Sequence, residues 1–530
     1  MPIKEFNLLA EPWILATDIN GNPISLSLID VFSRAHEIKA LSGELPTQDS
    51  AMLRLLLAVL YAAFPYVDEE GLPITASLKP VKLWQRLWNR ASFPMGVIET
   101  YLQKYSERFW LFHPERPFWQ VAGLNGGTAY SVSKLIGEIS ESSNKTRLFQ
   151  NRSGESKKSL SYAEAARWLL YLNAYDDSSS KPTRGKKLPR IGVGWLGKLG
   201  FVYAFGNNLF ETLMLNFVLL NNDEKWQTGG AIWELEKPVI DERREVGLPL
   251  SQAALLTLQS RRILLERENG RVTGYRLLGG DFFSIENAFS EQMTIWRPDS
   301  KKTDLYTPKR HNPSRQLWRD FSSLLAKSGS EGQQRQPGVV SWLSTLENEE
   351  VISTQQIYIR AASVQYVEKG SSVTDVWEDS ISINAGLLST LGDVWVGRIT
   401  EEIEMSEKLV GCLVYLASDI AEASGEAPGG KGKRDAARAG AYYKLDEPFR
   451  IWLAGINPQT DSLDIKLSKW REIESRIILQ LGSEMAAEAG SQAFVGRYVK
   501  TAQGTDLKTT AQAYSKFKNS VKKLIKNNEE

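Results

Sequence analysis

The chain has 530 residues, 42% hydrophobic and 24% charged, with a formal net charge of +1. That balance describes a globular protein of two or three domains with a sizeable core, and it lacks the positive excess of a protein that grips nucleic acid alone over a wide face. The single cysteine, Cys412, excludes an internal disulfide and a cysteine-based zinc site and fits a reducing cytoplasm.

Residues 5–30 alternate short apolar runs around "DINGNP" and predict a hairpin turning near Gly21 and Pro23. Residues 47–64 predict a helix capped by Thr47 or Asp49 and stopped by Pro65. Its apolar run at 55–64 is about half a membrane span, and the N-terminus lacks the apolar core of a signal peptide, so no membrane partner is expected. A polar, basic stretch at 141–160 precedes a helix near 162–174, and 176–190 reads as a loop. Residues 251–283 read as strands around a turn at Asn269-Gly270, 326–338 as a flexible connection, and 356–367 as another strand. Leu391, Val394, Ile399, Ile403, Val410, Leu413, Ala417 and Ile420 recur at helical spacing over 387–423. After a glycine-rich basic break at 424–440, helical patterns over 441–453, 462–489 and 507–527 complete a bundle of about four helices.

The segment "IGVGWLGKLG" (191–200) contains both G-x-G-x-x-G and most of a P-loop. Both fail in context. A dinucleotide site needs a strand before the glycines and a helix after them. Here a basic, proline-bearing loop precedes them, and the strand-like "KLGFVYAFG" comes after. The P-loop would need Ser or Thr after Lys198, where Leu199 stands. The glycines therefore serve tight turns and close packing, and no nucleotide cofactor is expected. The three histidines, His36, His113 and His311, show no metal-ligand spacing, and Cys412 lies on an apolar helical pattern, so neither argues for catalysis. Two basic loops are more informative. Residues 181–190 carry Lys181, Arg184, Lys186, Lys187 and Arg190 with no acidic residue. Residues 145–158 carry Lys145, Arg147, Arg152, Lys157 and Lys158 against Glu155 alone. Such loops can meet phosphate, or simply face water.

Several long motifs occur in order: "FNLLAEPWI" (6–14), "RAHEIKALSGELPTQDSAMLRLLLAVL" (34–60), "FWLFHPERPFWQV" (109–121), "GVGWLGKLGFVYAFGNNLFETLMLN" (192–216), "LTLQSRRILL" (256–265), "MTIWR" (293–297) and "RQLWRDF" (315–321). Together they resemble the CasA family, the large subunit of the type I-E CRISPR surveillance complex Cascade. The resemblance implies an α+β fold: a large mixed α/β N-terminal domain (1–380) with PAM- and crRNA-handle-contacting loops, then a C-terminal four-helix bundle (381–530). It implies a non-enzymatic, cytoplasmic subunit with no cofactor and no metal. Its partners would be crRNA and the other Cascade subunits, duplex target DNA and its displaced strand, and a recruited helicase-nuclease. It would recognise the PAM, help start strand separation and R-loop formation, and bring in the nuclease for antiviral defence. The alternative is a scaffold of the complex that does not read the PAM.

The resemblance places the PAM-contacting glycine loop at 184–188, with Arg184, Gly185, Lys186 and Lys187. A minor-groove lysine is expected after Thr273-Gly274; Arg276 is the nearest cation and Gly279 the nearest position by count. The strand-separating turn comes after Tyr366 and holds Glu368, Lys369 and Gly370. The crRNA-handle and subunit contact falls at about 149–160, with Phe149, Asn151 and Arg152. On 509–526, Tyr514, Phe517, Val521 and Leu524 share one side and lysines the other, an ordinary solvated outer face or a contact for DNA or a small subunit.

Overall fold

A computed structural model describes residues 4–64, 67–73, 79–141, 152–178, 192–221, 224–243, 246–302, 304–325, 334–352, 356–367, 370–426, 430–501 and 504–527. The chain forms two compact units. The first comprises Met1–Pro313, Lys327–Ile352 and Tyr358–Ser380; the second comprises Ser314–Ala326, Ser353–Ile357 and Ile381–Glu530.

The first unit mixes helices with small antiparallel sheets. The predicted N-terminal hairpin is Ile14–Asp18 paired with Pro23–Leu26. Its turn is built by Asp18, whose carboxylate accepts from the backbone N–H groups of Asn20 (2.9 Å) and Asn22 (2.8 Å), with Gly21 at φ 88°. The helix Pro46–Ala63 is buried almost all round, as its uniformly apolar sequence requires. Its start differs from expectation. Pro46 occupies the first turn, where its missing N–H is harmless, so Thr47 and Asp49 lie inside the helix rather than capping it. Asp49 instead accepts from the Gly43 N–H at 2.7 Å, and burial pushes its carboxyl up to about 7. Pro65 lies outside the described residues. The helix Tyr162–Tyr175 opens on a capping box between Ser161 and Glu164.

Two three-stranded sheets position the candidate site. In one, Arg271–Gly279 lies between Arg261–Glu268 and Thr128–Ser131. Its hairpin turns at Asn269 (φ 50°) and Gly270 (φ 73°), a left-handed pair that matches strand twist. In the other, Gln356–Tyr366 lies between Val373–Asn384 and Phe201–Phe205. The stretch before Arg261, expected as strand, is instead a short helix, Gln252–Leu256, because the Ser251 side chain accepts from the Ala254 N–H.

The second unit is a bundle of four long helices: Gly392–Ser424, Lys431–Ala454, Leu463–Ala487 and Thr510–Asn527. A short helix, Gly490–Val495, and a hairpin, Arg497–Thr501 with Gly504–Lys508, lie between the last two. The Trp318 ring stacks on Phe449 at 4.3 Å, and its indole N–H donates to Asp446 at 2.8 Å. Two expectations need correction. Leu391 and Val394, counted on the apolar stripe, are exposed; Trp395 and Val396 take the buried positions. The break expected at 424–440 ends early. Gly425 terminates the first helix in the left-handed region, and the next begins at Lys431, so 431–440 are exposed helix. On the last helix Phe517 and Val521 are buried, as predicted, with Tyr514 and Leu524 half-buried.

Candidate nucleic-acid interface

Arg184, Gly185, Lys186, Lys187, Glu368, Lys369, Phe149 and Asn151 lie outside the described residues. What the structure describes is how the two ends of the 179–191 segment are fixed, and to what. The tie begins with Arg261, fully buried at the start of its strand. Its guanidinium is ion-paired with Asp176 and donates to the carbonyl oxygens of Asp177 (3.0 Å), Gly192 (2.8 Å) and Ser260 (2.9 Å). One forked side chain thus holds the outgoing stem at 176–177 and the returning stem at 192. Other bonds reinforce it. The Gly194 N–H donates to the Asp176 carbonyl at 2.9 Å, and Lys134 is ion-paired with Asp177.

The same stems carry the turn after Tyr366. The Tyr366 hydroxyl donates to the Tyr175 carbonyl at 2.7 Å, and burial pushes that hydroxyl's pKa well up, so it stays a donor. The Ser178 N–H donates to the Gly370 carbonyl at 2.7 Å. Gly370 has φ +71°, and a Cβ there would stand 3.0 Å from Val193 and 3.1 Å from the Ser178 hydroxyl. Two of the three segments that the resemblance points to for the PAM, one leaving at Ser178 and one turning at Gly370, are therefore joined at their roots.

The glycines of 192–200 serve the packing anticipated for them. Gly192 has φ +72°. A Cβ on Gly194 would meet the Ala174 carbonyl oxygen at 2.4 Å, and one on Gly197 the Tyr366 hydroxyl at 2.3 Å. Leu196–Lys198 is a single tight turn, and the strand Phe201–Phe205 comes next, where a nucleotide fold would place a helix. Arg54 on the buried helix pairs with Glu291 at 2.9 Å, and the second Glu291 oxygen accepts from the Trp195 indole at 2.7 Å, locking this segment to the core.

The remaining site residues are separate from this cluster or already partnered. Arg276 is exposed on the strand Arg271–Gly279 and ion-paired with Glu266 at 2.9 Å. Such a surface pair contributes little and can exchange for phosphate. Gly279 is buried, lies opposite Arg261 in the ladder, and donates its N–H to Glu242 at 3.0 Å. Arg152 is half-buried and ion-paired with both Glu44 and Glu164, anchoring the end of its segment. Arg261, Asp176 and Asp177 went unrecognised in the sequence. The available signal was Arg261-Arg262 directly before the apolar run Ile263–Leu265 of its strand. Adjacent strand residues face opposite sides, so two buried arginines demand carboxylates on both; they find Asp176 and Asp281.

This architecture is that of a solved CRISPR-associated protein. The crystal structure of Thermobifida fusca Cse1 shares it with a TM-score of 0.84 and 32% identity, covering 98% of each chain. A chain solved as part of a CRISPR RNA-guided surveillance complex shares the fold at 18% identity with a TM-score of 0.73, covering 98% of this chain and all of that one. CasA/Cse1 of Thermus thermophilus is 29% identical over 444 residues, 81% of either chain. The profile of the CRISPR-associated protein Cse1 family matches residues 7–481. The chain belongs to the Cse1 (CasA) family, that of the large subunit of type I-E Cascade. Among the described residues no helix is long and apolar enough to cross a membrane.

Proposed function

We propose that this subunit recognises the PAM in duplex DNA, helps open the first base pairs, and recruits the helicase-nuclease, without catalysing a reaction itself. The observation that carries the reading is the joint root of the two loops: Arg261 fixes both stems at 176–192, and Ser178 and Tyr175 hold the turn at Gly370. A reader of duplex DNA and a wedge that separates strands must act on adjacent base pairs, so a shared anchor suits the task. The fold neighbour within an RNA-guided complex supports crRNA and other subunits as partners.

The energetics fit this division of labour. Exchanging DNA pairs for RNA–DNA pairs is nearly balanced, with stacking at about 1.4 kcal/mol per step. The unfavourable moment is the first opening, before hybrid exists, and protein contacts beside the PAM offset it there. Base pairing to the guide reads the rest of the sequence.

A scaffold that holds the complex without reading the PAM is the second reading, favoured by the existing ion pairs of Arg152 and Arg276. A PAM-library depletion assay separates the two. Lys369→Ala and Arg276→Ala should alter the recovered PAM profile. An unchanged profile in both variants supports the scaffold.

A further inference from the structure

Lys198 ends the turn Leu196–Lys198 beside the returning stem, its Cε 4.0 Å from where a Cβ on Gly192 would stand. Its ammonium lies over the rings of Phe282 (5.1 Å) and Trp195 (5.9 Å). The exposed Arg310 guanidinium lies 5.7 Å over the Tyr366 ring, the ring whose hydroxyl ties strand to stem. Among the described residues neither cation has a hydrogen bond or an ion pair; aromatic faces are their contacts. The neighbouring buried cations are all neutralised: Arg54 by Glu291, Lys134 by Asp177, Arg261 by Asp176, Arg262 by Asp281. With 63 acidic residues against 64 basic ones, the chain does not lack carboxylates.

The two cations also repel. Burial first, then Arg261 and Arg310, brings Lys198 down to about 8. A partly buried, unmatched cation such as Lys198 opposes folding unless an outside anion meets it. A lysine point charge beside an arginine fork suits a phosphate oxygen cluster.

We propose that Lys198 and Arg310 form a seat for one backbone phosphate of duplex DNA, next to Gly370 and the stems of the 176–192 loop. The assignment rests on the reading that this subunit engages duplex DNA. A phosphate contact carries no sequence information but sets register. The seat would fix the duplex against the PAM-reading loops rather than choose the PAM.

The test uses the complete crRNA-loaded complex and a labelled PAM-bearing duplex, titrated across salt concentrations. Lys198→Met keeps length and ring packing without charge; Arg310→Gln alters an exposed residue. Each variant should bind about three- to tenfold more weakly and lower the slope of log affinity against log salt by about one. Lys198→Arg should bind like the parent, separating lost charge from lost folding. Phosphate holds the Lys198 proton on, so parental affinity should fall between pH 7 and pH 9. Lys198→Met should lack that fall. Parental affinity and salt slope in both charge-removing variants would overturn the seat. So would an equal defect in crRNA loading without DNA, which would assign the seat to RNA. If the parental subunit adds no duplex affinity to the complex, the proposed function itself fails. If it does and Lys198→Met matches it, only the seat fails.

Discussion

Replacing Arg261 tests whether one buried guanidinium holds the loop stems. Arg261 is fully buried, as is the Asp176 carboxylate it pairs with. Removing the arginine alone breaks this buried pair, a loss of about 3–5 kcal/mol. Arg261→Lys is more informative. A lysine can still meet Asp176, but it cannot also reach the carbonyls of Asp177 and Gly192, which Arg261 contacts at 3.0 and 2.8 Å. Each buried carbonyl left without its donor costs about 1–3 kcal/mol, so the lysine variant, which leaves two, should lose about 2–6 kcal/mol. That loss should be local. Hydrogen exchange at Gly194 and Ser178, whose N–H groups donate to Asp176 and Gly370, should accelerate by two orders of magnitude or so, since about 1.4 kcal/mol is tenfold. Amides of the helix Pro46–Ala63 should be nearly unchanged. PAM-duplex affinity should fall while crRNA loading persists. Parental exchange rates at 178 and 194 in Arg261→Lys would refute the clamp.

Gly194→Ala should destabilise by about 1–3 kcal/mol in thermal or denaturant unfolding, because its Cβ would press on the fixed carbonyls of Ala174 and Asn173, at 2.4 and 2.8 Å. In the bundle, Glu474 is buried near Ser406, Glu402 and Arg471, and burial pushes its carboxyl up to about 8 from 4.5. A carboxyl raised in the folded state favours folding fully below pH 4.5 and loses that contribution as pH climbs toward 8. Glu474→Gln should therefore melt above the parent at pH 7–8, by at most about 4–5 kcal/mol in stability, and converge with it near pH 4.5. A constant difference across that range would contradict the assignment.

Where a local signal was unambiguous, sequence and structure agree. The turn near Gly21, the Asn269-Gly270 hairpin and the helix expected near 162–174, found as Tyr162–Tyr175, are set by residues within a few positions of each other. Disagreements arise where two local signals compete. Gly425, Gly430, Gly432 and Gly440 read as a continuous break, yet Ala436, Ala437, Ala439 and the basic residues between them are good helix formers, and the helix resumes at Lys431. Thr47 and Asp49 look like caps, but Pro46 already fixes the first turn. The glycines of 192–200 were legible as packing residues, and Asp176–Ser178 and Gly192, the described ends of the basic segment read as a loop from composition, are fixed by a common anchor. That anchor was not legible, because Asp176 and Arg261 are 85 residues apart and only the folded sheet brings them together. In sequence Lys198 belongs only to the P-loop-like pattern, and its setting over Phe282, 84 residues away, exists only in three dimensions.

The central claim, that this subunit engages PAM-bearing duplex through the joined loops, is tested most directly by equilibrium binding. The remaining subunits, assembled with crRNA, would be titrated with a PAM-bearing duplex and a PAM-less control, with and without the purified chain. The account predicts that adding the chain tightens binding to the PAM duplex by at least tenfold over the control, and that Arg261→Lys erases most of that preference. Equal binding of the two duplexes in the presence of the parental chain would contradict it.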